Sequence, residues 1–267
     1  MTHPTCTLGS MTTTNTDLLE SLRGRRELRP RIDASLAGGL RAWLEDDLAE
    51  LVAERPLGEP CFLTPRSSTT EALQSVPSLV VLARAALVSK LAAARALGLE
   101  IDHPMDHALS ALEADQLDRE IVETVHALDP DGFAQLAAEV TAHHSVLVRM
   151  LPSIPPSWLP RTNQRLSASL AGGRVVLGAT VSVIIGPPAS TASSTCLLEV
   201  STSALDHTAS RRLGVLALLE TLRSGAAPLR VGALSTATGD TMVLDASDDR
   251  LIAAVGDVVG ALKARLA

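Results

Sequence analysis

Four prolines within ten residues, in the segment LPSIPPSWLP at 151–160, forbid a continuous helix there and divide the chain into two unlike halves. Before this segment apolar residues recur every three or four positions. After it they alternate or gather in β-branched runs, the pattern of strands. The expected protein is therefore α+β. It has a polar, disordered leader over 1–16, a mainly helical region over 17–150, the proline-rich boundary, and an α+β core over 161–267.

In the first half, Leu36, Leu40, Trp43, Leu44, Leu48 and Leu51 mark one face of a helix predicted over 32–55, with Glu45, Asp46, Asp47 and Glu50 on its solvated face. Pro56 and Pro60 end it, and residues 61–64 read as a short strand. Residues 78–97 are almost wholly apolar, with Arg84 and Lys90 among their few charges, and read as a buried central helix rather than a membrane span. Helices follow over 104–112, 115–128 and 131–150, the last opened by Asp129 as cap and Pro130 in the first turn. Beyond the boundary, 164–170 and 175–185 form a hairpin around Ala171-Gly172-Gly173. A strand over 196–200, a helix over 210–223, strands over 229–234 and 241–244 and a helix over 248–266 complete the order.

Only four residues are aromatic, Trp43, Phe62, Phe133 and Trp158, so the core is aliphatic. Two lysines, Lys90 and Lys263, stand against 21 arginines, which with the Ala and Leu content suggests a GC-rich, actinobacterial source. Three scattered cysteines fit neither a disulfide framework nor a zinc site and imply a reducing cytoplasm. No stretch reads as a signal peptide. A net charge of −7 and few aromatics argue against a nucleic-acid partner. Locally the balance reverses: between 161 and 230, Arg161, Arg165, Arg174, Arg211, Arg212, Arg223 and Arg230 face only Glu199, Asp206 and Glu220, or 7 − 3 = +4.

His143 and His144 point about 100° apart on a helix and cannot chelate one ion together. His103 and His107 are separated by Pro104 and lack a third ligand. The hydroxyls of Ser201, Thr202 and Ser203 have no nucleophile-elbow context.

The order helix, three strands, helix, strand from about residue 131 matches the αβββαβ core of the PD-(D/E)XK nucleases. The segments WLPRTNQRLSASLAGGRVVLGATVSVIIG at 158–186, LLEVSTS at 197–203 and LALLETLRSGAAPLRVGALSTATGD at 216–240 resemble an actinobacterial, RecB-like branch of that superfamily. The resemblance covers roughly the last 110 residues. It implies a restriction-endonuclease-like sheet whose edge carries a metal-binding Asp and an E-x-K motif. Here the Asp position is Ser182, the motif reads Glu199-Val200-Ser201, and the upstream acidic position is Gln164. Neither lysine is near in sequence, and Asp206 and Asp240 are the nearest substitute acids. A hard divalent cation needs more than one carboxylate. The expectation is therefore a non-nucleolytic protein without a metal or other cofactor.

By analogy with other divergent scaffolds, it would bind or transform a small anionic metabolite in bacterial, antibiotic-type biosynthesis, alone or as one subunit of a heteromer. Glu199, His207 and Ser201 are the candidate catalytic groups. Arg211, Arg212, Arg165 and Ser182 are the candidate substrate contacts, because an arginine fork suits phosphate, sulfate or carboxylate. The alternatives are a catalytically silent binding subunit and a DNA-associated protein with relocated metal ligands.

Overall fold

The computed structural model describes residues 15–24, 34–54, 59–69, 78–115, 118–187 and 194–266. Eight helices surround one mixed sheet of six strands among these residues. The elements are α1 (Asn15–Arg23), α2 (Ala34–Glu54), β1 (Cys61–Leu63), α3 (Leu79–Ala96), α4 (Pro104–Glu113), α5 (Arg119–His126) and α6 (Pro130–Met150). They continue with β2 (Arg161–Leu170), β3 (Val175–Ile185), β4 (Cys196–Ser201), α7 (Ala209–Ser224), β5 (Arg230–Ser235), β6 (Thr241–Asp245) and α8 (Asp248–Leu266). From α6 to β5 the order is the expected αβββαβ.

Local chemistry sets several ends. The Asp129 carboxylate accepts from the Gly132 amide at 2.7 Å and Pro130 follows it, so α6 starts where its first-turn amides find a partner. Helix α7 stops at Gly225, whose φ of 74° is easy only for glycine. The hairpin between β2 and β3 turns through Ala171–Gly173, as expected.

Neighbouring strand residues face opposite ways, and here they divide between two apolar clusters. Leu197, Ala233 and Val231 join α2, α7 and α8 on one face. Leu198, Leu234 and Ile185 join α1 and α3–α6 on the other. The sheet is thus covered on both faces, and the first half of the chain supplies part of each cover. β1 also enters the sheet, pairing parallel with β3.

Four expectations are corrected. The leader was expected to run to residue 16, but α1 already begins at Asn15, and Leu18, Leu19 and Leu22 pack beneath β5 and β6; residues 1–14 lie outside the described residues. Nine residues were too short a window for periodicity to stand out beside a Thr-rich run. Trp43 does not join the buried face of α2, because its neighbours Leu40, Leu44 and Leu48 fill that face and leave the indole 43% exposed. The fifth helix begins at Arg119, four residues later than expected. Finally, α3 buries its second half but leaves Leu79, Val80, Val81 and Leu82 between 38% and 43% exposed, so its first turn is not part of a core. No helix among the described residues is long and apolar enough to cross a membrane.

Candidate functional site: a cleft where the sheet splits

Strand β3 has two edges. β2 covers one from Arg161 opposite Ile184 to Leu170 opposite Val175. The other edge is shared: β1 occupies Val175–Leu177 and β4 occupies Val183–Ile185. From Gly178 to Ser182 no described strand pairs with this edge. β4 meanwhile continues along β5 as far as Ser201, so a cleft opens between β3 and β4. The turn after β1, Thr64-Pro65-Arg66, forms one wall, and Arg212 and Leu216 of α7 close the bottom around a cavity of about 180 Å³. That is below the roughly 300–1,000 Å³ of drug-sized pockets and suits a small molecule.

The split requires a substitute for one ladder bond. The Val200 amide, on the diverging part of β4, donates to the Ser182 hydroxyl at 3.0 Å. Ser182 is buried and its oxygen stands in for a strand carbonyl. The same level carries a change of face. Val181 and Ile184, three residues apart, join the same apolar cluster, whereas Val183 joins the other. Opposite them Asn163 has a φ of 49°, and its side-chain oxygen accepts from Ser89 of α3 at 2.9 Å. Asn is among the few residues that tolerate this backbone region.

Glu199 shares the face of Leu197 and looks toward α7, where Arg212 lies. The Arg212 Nε stands 3.5 Å from Glu199 Oε2, and its Nη1 stands 3.7 Å from Asp206 Oδ1. Both are long against the 2.7–2.9 Å of a strong charge-assisted bond. Arg212 is nevertheless only 9% exposed. The Asp206 carboxylate makes its short bonds elsewhere, to the Thr208 amide at 3.0 Å and the Thr208 hydroxyl at 2.7 Å. Burial pushes the Asp206 carboxyl up, but these bonds, with the charges of Arg212 and His207, together bring it below its ordinary value. The cavity lining thus holds two guanidinium groups, Arg66 and Arg212, and one carboxylate, Glu199.

Of the seven residues singled out in the sequence, Glu199 and Arg212 meet in the cleft and Ser182 closes its head. The others do not line it. Arg211 follows Arg212 in a helix and therefore points elsewhere, to Asp257 of α8, with its Nη2 at 2.6 Å. Arg165 projects from β2 and lies 3.8 Å from Asp118. His207 is exposed in the turn before α7. The Ser201 hydroxyl donates to the Ser203 carbonyl and accepts from the Ser203 amide, both at 3.1 Å, and so shapes the turn that ends β4. Ser182 itself is a structural acceptor, because its oxygen is taken by Val200. Thr64, Arg66, Thr180 and Leu216 were missed, since nothing local in the sequence shows that β1 will dock beside β3.

The metal implied by the nuclease resemblance does not fit these residues. Glu199 and Asp206 sit on either side of the Arg212 guanidinium, where a divalent cation would meet a fixed positive charge. No group of three or more His, Cys, Asp or Glu side chains placed to hold a metal ion occurs among the described residues. Asp240 accepts from Thr238 at 2.7 Å in the turn between β5 and β6. Lys90, far from the sheet in sequence, comes close to it in space: it shares a groove with Asn163 of β2, and its ammonium lies 3.0 Å from Asp115 and 3.2 Å from Asp118.

No family model and no curated protein matches this chain. Among solved structures it is similar to SSO0001, at 11% identity and a TM-score of 0.30 over 84% of this chain and 86% of that one. It is also similar to Rai1 of Scheffersomyces stipitis, at 11% identity and a TM-score of 0.26 over 85% of this chain and 65% of that one. The same protein in complex with (3'-NADP)+ and calcium ion gives 11% identity and a TM-score of 0.26 over 96% and 71%.

Proposed function

We propose that this chain is a non-nucleolytic protein of the restriction-endonuclease-like fold whose cleft between β3 and β4 binds a small anionic molecule. One observation carries the reading: Arg212 is a nearly buried guanidinium that lines a cavity and makes no ion pair shorter than 3.5 Å with any described residue. Burying a cation is costly unless it is well paired. An incoming carboxylate, phosphate or sulfate would supply the short, forked bonds that Glu199 and Asp206 do not. Glu199 is the titratable group in the cavity lining, and it is the residue that would exchange a proton if the bound molecule is also transformed. Biosynthetic use of such a site, of the antibiotic-type kind, remains part of this proposal by analogy with other repurposed scaffolds.

The test is thermal unfolding with sulfate, phosphate and acetate, each against Arg212→Met and Arg211→Met variants. Stabilisation by an anion that disappears in Arg212→Met and persists in Arg211→Met supports the reading. Stabilisation only by manganese or magnesium with DNA would overturn it in favour of a nuclease.

The exposed apolar turn Leu79–Leu82 favours a second reading, in which the chain is one subunit of a heteromer and this turn meets the partner. A chain that stays monomeric and monodisperse by size-exclusion chromatography with light scattering, with unchanged behaviour after Val80→Glu and Val81→Glu, argues against that version.

A further inference from the structure

We infer that the cleft recognises a carboxylate carrying an amide group close by, such as the carboxy-terminal end of a short peptide or an N-acylated amino acid. This deepens the anion-binding reading above and rests on it. Two features on the same wall of the cavity point to such a molecule.

The first is a stretch of the β3 edge with which no described strand pairs. Along β3, pairing with β1 ends at Leu177 and pairing with β4 begins at Val183, and the Ser182 hydroxyl is occupied by the Val200 amide. Between them lie Gly178, Ala179 and Thr180, in register with Ser167, Leu166 and Arg165 of β2; backbone groups alternate along a strand, so those of every second residue here turn to the cleft while those of the residues between bond to β2. At about 3.4 Å per residue, this stretch spans roughly 10 Å. Backbone groups on such an edge hydrogen-bond an amide of the ligand in the manner of an added strand. A simple anion such as sulfate leaves them to water.

The second is where the charge sits. Ala179 and Thr180 line the same cavity as Arg212, so a molecule laid along this edge brings its terminal charge to the guanidinium. Arg66, on the turn that follows β1, lines the cavity as well. Glu199 beside Arg212 disfavours a second negative charge, which selects a monoanion over a phosphate dianion. The apolar side chains of Ala179, Pro65 and Leu216 fit a small aliphatic group, and the modest cavity volume excludes a long chain inside it.

The experiment compares three probes by calorimetric titration and by amide shifts in a nitrogen-15 spectrum. N-acetylglycine has the carboxylate and the amide, pentanoate has only the carboxylate, and N-acetylglycinamide has only amides. N-acetylglycine is expected to bind at least tenfold more tightly than pentanoate and to shift the amide signals of Gly178, Ala179 and Thr180. N-acetylglycinamide is expected to bind at least tenfold more weakly than N-acetylglycine. Arg212→Met should abolish N-acetylglycine binding, and Arg212→Lys should weaken it while the spectrum elsewhere shows the fold intact. Equal affinity for N-acetylglycine and pentanoate, or binding without shifts at the β3 edge, overturns the amide inference and leaves anion binding standing. Absence of binding by N-acetylglycine, pentanoate, sulfate and phosphate alike overturns both.

Discussion

The Val200 amide donates to the Ser182 side chain at 3.0 Å, across a gap where two neighbouring strands have ceased to pair. The position that the nuclease resemblance assigns to a metal-binding acid therefore holds the sheet together at the point where it divides. Ser182→Ala removes this acceptor and leaves the Val200 amide without a partner. The expected cost is about 1–3 kcal/mol, or a fall in Tm of roughly 2–9 °C for a chain of this size. Thermal unfolding checks it, and a Tm unchanged within error would mean that water replaces the hydroxyl.

Glu199 competes with any bound anion for Arg212. Glu199→Gln keeps the size of the side chain and removes the competing charge. Affinity for a small anion is expected to rise by about fivefold, corresponding to about 1 kcal/mol for a partly exposed charge pair. Titration calorimetry with acetate reads it directly. A loss of affinity would show that the carboxylate helps to orient the guanidinium.

His143 of α6 has a buried Nδ1 without a hydrogen-bond partner among the described residues; burial, with a smaller contribution from Arg84, lowers its pKa from the ordinary 6.5 against smaller upward effects of the Thr236 backbone and Glu139. The unfolded chain therefore binds a proton at this site more readily than the folded one. Stability is complete above about pH 6.5 and is lost as pH falls below it toward the folded value. His144, lowered by burial and by Arg95 and His107, acts in the same sense. The expected outcome is a Tm that declines between pH 7 and pH 5, with a smaller decline in His143→Gln.

Helix α1 is held against the sheet through Leu22 and Gly232. A Cβ added at Gly232 would lie 2.9 Å from Leu22 Cδ2 and 3.1 Å from the Met242 carbonyl. Gly232→Ala is expected to destabilise by about 1–3 kcal/mol through overpacking. Leu22→Ala costs a similar or larger amount through the cavity it leaves. The double variant should be less destabilised than the sum of the two, by at least about 0.5 kcal/mol, because each relieves the defect of the other. Strict additivity in denaturant unfolding would show that α1 is not seated on β5.

The sequence determined most of the elements, because their signals are local. Asp129 and Pro130 announce the start of α6. The alternation before Ala171 and the β-branched run after Gly173 announce the hairpin. Residues 248–266 are helical over the whole predicted range. Glu199 and Arg212, thirteen positions apart on a strand and the helix that follows, are neighbours already at the level of the sequence, because one short connection joins the two elements.

Only the tertiary structure decided the rest. Which arginine faces the cleft depends on a rotation of about 100° between Arg211 and Arg212 around α7, and that orientation is set by how Leu213, Leu216 and Ala217 pack against the sheet. Thr64 and Arg66 enter the cavity because a three-residue strand from the first half of the chain pairs with β3, a contact spanning more than a hundred residues. Pairing of that kind leaves no periodic trace, since the hydrogen bonds of a strand edge are made by the backbone and are the same for every side chain.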